Sequence, residues 1–203
     1  MPFIERTEAE TIAMFIQTEA TPNPATLKFL PGRVVLDSGS ADFRKPQDAE
    51  SSPLAQKLFE VPGVDGVFFG YDFVTITKDE NDEDGFDWAH LKPAILGVIM
   101  EHFMSGQPVM VADFPAQQDG EEFYEESDEQ IVNTIKELLD TRVRPAVAQD
   151  GGDITFHGFR EGVVYLHMRG ACAGCPSSTA TLKHGIQNLL RHFIPEVNEV
   201  EAV

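Results

Sequence analysis

Nine residues, Gly170-Ala171-Cys172-Ala173-Gly174-Cys175-Pro176-Ser177-Ser178, hold both cysteines of this chain and tie one local structure to one kind of chemistry. Val164, Leu166 and Met168 alternate ahead of them as a strand does, and a stretch with helical spacing begins at Pro176. The pair therefore belongs on a strand-to-helix turn. Proline suits the first helical position, where its missing N–H had no partner in any case, and this leaves Cys175 at the N-cap. Unpaired N–H groups and the positive helix end lower a thiol pKa and stabilise bound negative charge. Both thiols are thus expected to be reactive or metal-ligating rather than inert.

Upstream of that turn the pattern divides the chain. Short strands are expected at Phe15 to Thr18, Thr26 to Leu30 and Val34 to Asp37, with a Pro31-Gly32 turn between the last two. Ser38 to Ser52 is polar and rich in breakers, and Ser52-Pro53 reads as N-cap and first residue of a short helix. Val64 to Phe69 and Phe73 to Lys78 form a hairpin, and Asp79 to Asp84 an acidic loop. Trp88, Leu91, Ile95, Val98, Ile99 and Phe103 predict a helix from Asp87 to Met104 that carries Pro93 in its second turn and stops at Gly106.

Asp113 to Glu126 is acidic and reads as a linker between two units, residues 14–112 and 127–203. Ser127-Asp128-Glu129-Gln130 resembles a capping box for a helix that Pro145 closes. Strands at Ile154 to Phe159 and Val163 to Arg169, the helix after Cys175 and a strand at Val197 to Ala202 complete the order α-β-β-α-β. The fold class is α+β: two small α+β domains joined by an acidic linker.

Charge narrows the partners. Residues 127–203 hold 10 acids and 7 bases (−3), while residues 1–126 hold 24 and 8 (−16), so neither half offers the basic stripe that nucleic acid needs. No stretch approaches the ~20 apolar residues of a membrane span, so no membrane partner is expected. Residues 1–13 carry Glu5, Glu8 and Glu10 against Arg6, the opposite of an Arg-rich transit peptide. The expectation from these residues is a bacterial-type cytoplasm in which thiols stay reduced.

Clusters of iron and sulfur are usually held by four thiolates, and this chain offers two. A symmetric dimer placing two Cys172/Cys175 turns face to face would complete the set. The spacing alone also fits a thiol-disulfide oxidoreductase or a zinc-binding interaction protein, whereas haem attachment is disfavoured by Pro176 where His would follow. Against the redox reading, the strand before the motif closes an antiparallel hairpin rather than a parallel βαβ unit.

Arg144-Pro145, Asp150-Gly151-Gly152-Asp153 and the Gly170 to Ser178 stretch match, in order and spacing, the NifU C-terminal, or Nfu-type, iron-sulfur cluster carrier domain. Phe15-Ile16-Gln17-Thr18-Glu19, Thr21-Pro22-Asn23-Pro24 and Lys28-Phe29-Leu30-Pro31-Gly32 resemble the Nfu N-terminal domain. The resemblance runs from Met14 to the end and marks residues 1–13 as an extension. It implies a scaffold or carrier, not an enzyme, that assembles a 4Fe-4S cluster between two chains through Cys172 and Cys175. It further implies a homodimer when holo, with apo iron-sulfur client enzymes and upstream cluster-assembly proteins as partners.

Several other residues have a plainer and a sharper reading. Asp150 to Asp153 fits a tight turn better than a metal patch. His157, His167, His184 and His192 are candidates to complete a zinc site, though most histidines are not ligands. Arg142 and Arg144 suit a helix C-terminus or the charge of a bound cluster. Phe68, Phe69 and Tyr71 form either core or a client-binding patch.

Overall fold

The computed structural model describes residues 15–79, 87–111, 121–173 and 176–203, with 176–178 by backbone alone. The acidic loop after Asp79 and most of the linker lie outside the described residues.

The first domain is a five-stranded antiparallel sheet with helices on one face. Its strands are β1 (Gln17–Ala20), β2 (Thr26–Leu30), β3 (Ala41–Phe43), β4 (Val64–Phe69) and β5 (Val74–Lys78), in the order β1-β2-β5-β4-β3. Helix α1 (Pro53–Phe59) starts as the sequence suggests: Ala55 N–H donates to Ser52 Oγ at 3.0 Å, and Pro53 fills the first turn. Helix α2 (Trp88–Ser105) is capped by Asp87, carries Pro93 and ends at left-handed Gly106. Leu54, Leu58, Leu91, Ile95 and Ile99 of these helices close over Phe29, Phe43, Phe69, Val74 and Ile76 of the sheet.

Two expectations for this domain change. The strand predicted over Val34 to Asp37 is a loop: Val35 and Leu36 N–H both donate to Tyr71 O, and Val35 is buried without joining a ladder. The edge strand beside β4 is instead β3, in the breaker-rich stretch, paired from Ala41 opposite Phe69 to Phe43 opposite Val67. The first strand begins at Gln17, because Phe15 is exposed.

The second domain holds α3 (Glu129–Leu138), α4 (Arg144–Gln149), β6 (Gly152–Arg160), β7 (Val163–Gly170), α5 (Pro176–Phe193) and β8 (Glu199–Ala202). Pro145 does not close the first helix. The hydrogen bonding widens to a π turn over Leu139–Val143 and re-forms as α4 with Pro145 in its opening turn, where a missing N–H is tolerated. Nor does a capping box form, since Glu126–Asp128 is a 3-10 turn and no side chain caps α3.

Strands β6 and β7 are antiparallel with a bulge between Phe156 and Gly158, and β8 adds parallel to β7. The β7–α5–β8 connection is therefore a parallel crossover, where the sequence pattern suggested only an antiparallel hairpin. Phe123, within the expected linker, docks instead: its N–H donates to His157 O at 3.2 Å and its carbonyl accepts from Phe159 N–H at 2.9 Å. Its ring fills the space in which a Cβ on Gly158 would stand.

Candidate functional site

The cysteine turn is pinned from both sides. β7 ends at Gly170, whose φ of 61° is one that L side chains rarely adopt, and the chain turns there. Ala171 N–H donates to Gly151 O at 3.1 Å and Ala173 N–H to Gly170 O at 3.0 Å. From the first turn of α5, Thr179 Oγ1 donates to Cys172 O at 3.0 Å. Helix α5 begins at Pro176 as expected, while Cys175 lies outside the described residues.

Cys172 does not face a helix end. Its side chain is 6% exposed and belongs to the core that contains Val147, Ile154, Met168 and Ile186. Gly152 permits this: a Cβ there would stand 2.6 Å from Arg169 O and 2.7 Å from Cys172 Sγ. The Asp150-Gly151-Gly152-Asp153 run is accordingly the tight turn that leads α4 into β6, with Gly151 at φ 83°.

The thiol moves opposite to expectation. Burial, and then the carboxylates of Asp150 and Asp153, push Cys172 up from 9.0 to about 12, so it is a protonated thiol at neutral pH. The expectation assumed that the helix field reaches both sulfurs. Cys172 precedes the helix by four residues and points into the core, where desolvation wins.

Beside it Arg144 grips Asp153 with two bonds, Nε to Oδ1 at 2.8 Å and Nη2 to Oδ2 at 3.0 Å, and reaches Asp140 with Nη1 at 3.0 Å. These bonds raise the guanidinium above its ordinary value, and Asp153 dominates. Arg142 lies over the Phe193 ring at 5.2 Å. Both arginines therefore have partners of their own within the protein.

The histidines do not gather round the cysteine. His157 and His167 face each other with ring centroids 4.3 Å apart, on the sheet face away from the core that holds Leu166 and Met168. His184 and His192 are exposed on α5. Among the described residues no three of His, Cys, Asp or Glu converge as a metal site would need.

The first domain supplies what sequence reasoning missed. Ser40 Oγ donates to Asp153 Oδ2 at 2.7 Å, Thr75 Oγ1 to Gly151 O at 2.8 Å and Lys28 Nζ to Gln149 O at 3.1 Å. Phe69 is core, Tyr71 is exposed, and Phe68 packs over Gly170, where a Cβ would come within 2.9 Å of its ring. The available signal was the alternation in β2 and β5, which sets Lys28 and Thr75 opposite each other on one face.

Residues 16–106 match the family model described as scaffold protein Nfu/NifU N terminal, and residues 135–201 match the NifU-like domain, which contains the whole cysteine turn. The chain belongs to the Nfu/NifU scaffold family. It is 52% identical over 190 residues to the human "NFU1 iron-sulfur cluster scaffold homolog, mitochondrial", covering 94% of this chain and 72% of that protein. The Drosophila erecta protein of the same name is 54% identical over 192 residues, 94% of this chain and 65% of its own length. A solution structure of a NifU-like protein from Saccharomyces cerevisiae is 30% identical, covers 49% of this chain and 87% of its own, and superposes with a TM-score of 0.43.

Nfu proteins are scaffolds and not enzymes. The comparison also corrects the cytoplasmic expectation, because these Nfu relatives are mitochondrial. That expectation rested on the acids of residues 1–13, which precede the matched Nfu region and carry no information about where the family works.

Proposed function

We propose that this Nfu chain assembles a 4Fe-4S cluster between two copies of itself, through Cys172 and Cys175 of each. It takes its cargo from upstream cluster-assembly proteins and delivers it to apo iron-sulfur client enzymes, in the mitochondrion as for its relatives. The observation that carries this reading is that the chain's only two thiols stand three positions apart in sequence, inside the NifU-like region. Four thiolates are the usual cluster set, and a two-fold pairing of turns supplies them. Its working units on this reading are residues 14–112 and 127–203 about a linker of 113–126, and only the second carries thiols.

The chemistry available to the turn follows from Cys172. A thiol held protonated by burial is a poor nucleophile and resists oxidation while no cargo is present. Binding metal requires the thiolate, so loading would release that proton to solvent and delivery would return it. Cargo exchange and protonation are thereby coupled at one atom, Sγ of Cys172.

Anaerobic reconstitution with iron and sulfide counting, absorption or Mössbauer spectra, and sedimentation tests the reading. One 4Fe-4S cluster per two chains is expected, and neither Cys172→Ser nor Cys175→Ser should retain it. A loaded species that stays monomeric with full cluster content refutes the shared site. A second reading, a thiol-disulfide oxidoreductase, draws on the parallel β7–α5–β8 crossover, yet the buried thiol works against it. Turnover with a standard dithiol couple at the rate of a dedicated reductase would favour it.

A further inference from the structure

The first-domain sheet is buried on both faces. Phe29, Val67, Phe69, Val74 and Ile76 point to α1 and α2, and the alternate positions Thr26, Lys28, Phe68 and Thr75 are also 6% exposed or less. An antiparallel sheet with helices on one side ordinarily leaves its other face to water. Here the second domain covers it.

The grip is concentrated on one place. Lys28 Nζ, Thr75 Oγ1 and Arg44 Nη2 donate to the carbonyls of Gln149, Gly151 and Met168 at 3.1, 2.8 and 3.4 Å, and Asn23 Nδ2 to Ala173 O at 3.5 Å. Phe68 fills the space above Gly170. These acceptors lie on the two backbone segments that build the cysteine turn, and Gly170 and Ala173 bracket Cys172. Side-chain donors on backbone carbonyls, with one aromatic contact, make a polar inter-domain contact of the kind that separates reversibly.

We propose that this second face of the first-domain sheet is a cap for the cysteine turn, and that its docking competes with a second copy of the chain for the same residues. The proposal rests on the shared-cluster reading. On this proposal two turns that contribute ligands to one cluster approach across the edge that Asn23, Phe68 and Thr75 now cover, because those three touch Ala173, Gly170 and Gly151, the backbone that flanks Cys172. The closed chain is the protected form, and undocking is the first step of loading. Because the second copy binds only the open form, its apparent affinity falls by the fraction of chains that are open, and loosening the cap raises it.

Thr75→Glu sets a carboxylate against Gly151 O, and Phe68→Asp removes the ring from Gly170; neither residue belongs to the first-domain helix-facing core. Full-length wild type and both variants are compared by small-angle scattering and hydrogen exchange, with circular dichroism to verify folding. Cluster loading is then titrated anaerobically against protein concentration. Expected are a compact wild type, expanded variants with faster exchange over residues 170–173, and half-loading of the variants at a concentration lower by about tenfold or more. Expanded variants that load at the wild-type concentration overturn the cap while leaving the shared cluster intact. A wild type already expanded in solution, or variants that both stay docked, also overturns it. A fully loaded wild-type monomer instead refutes the shared-cluster reading on which the proposal stands.

Discussion

Ser40 donates its hydroxyl to Asp153 Oδ2 at 2.7 Å, the same oxygen that Arg144 Nη2 reaches at 3.0 Å. One buried carboxylate thus serves two functions: Arg144 ties β6 to α4 within the second domain, and Ser40 ties the second domain to the first. The two substitutions should separate. Arg144→Ala leaves Asp153 buried with its cation gone and is expected to lower second-domain stability by about 2–4 kcal/mol, discounted because the guanidinium is partly exposed. Ser40→Ala should cost about 1 kcal/mol and act on domain coupling. Urea unfolding followed by exchange at residues 152–170 distinguishes them, and equal losses would show that Ser40 is more than a tie.

Gly152 sets how deeply Cys172 sits. An added methyl would lie 2.6 Å from Arg169 O and 2.7 Å from Cys172 Sγ, and the backbone contact cannot yield cheaply. Gly152→Ala should therefore cost about 1–3 kcal/mol by overpacking and displace Cys172 toward solvent. Thermal unfolding measures the first effect and a faster alkylation rate the second. A Gly152→Ala variant with normal stability and a protected thiol would mean that the turn accommodates the methyl by moving elsewhere.

How much of this was legible beforehand follows from the kind of signal each feature leaves. Helix α2 was readable to within a residue because Asp87, Gly106 and the spacing of Leu91, Ile95 and Ile99 are all local. The turn at Gly151 and the start of α5 at Pro176 were legible for the same reason. What failed depended on partners distant in sequence. Val35 is apolar and buried but satisfies its N–H on Tyr71 O, so its burial mimicked a strand. The raised Cys172 thiol depends first on burial, for which Gly152 leaves room, and then on Asp150 and Asp153, which the turn into β6 brings beside it. Thr75 and Lys28 are polar residues on one face of β5 and β2, and their bonds to Gly151 O and Gln149 O reach more than 70 residues along the chain, beyond any local pattern.

His102 on α2 is fully buried. Burial, aided by Lys57, holds its imidazole below the ordinary 6.5 and outweighs the pull of the Pro108 and Gln107 carbonyls. A depressed folded value means that the unfolded chain binds more protons as pH falls below about 6.5, so stability is full above that pH and declines below it. His102→Leu should flatten the decline between about pH 6.5 and 5 in urea midpoints measured stepwise. An unchanged slope would assign the acid sensitivity to other groups.

Cys172 gives the opposite sign. Its folded value is raised from 9.0 to about 12, so the folded chain retains a proton that the unfolded chain releases. The associated stabilisation is complete below pH 9 and is lost as pH rises toward 12. In Cys175→Ser, where Cys172 is the only thiol left, alkylation of the empty chain at about pH 8 should run more than about tenfold slower than in the urea-unfolded chain, because both thiolate fraction and access are reduced. Raising the pH should accelerate it beyond the range in which an ordinary thiol has already saturated. Adding iron and sulfide to the wild-type chain without buffer should release protons as the thiolates form, a count that a pH electrode or calorimetry in two buffers reads directly. Alkylation at the unfolded rate would place Cys172 in solvent as a thiolate, and the proton would then have no part in holding or releasing cargo.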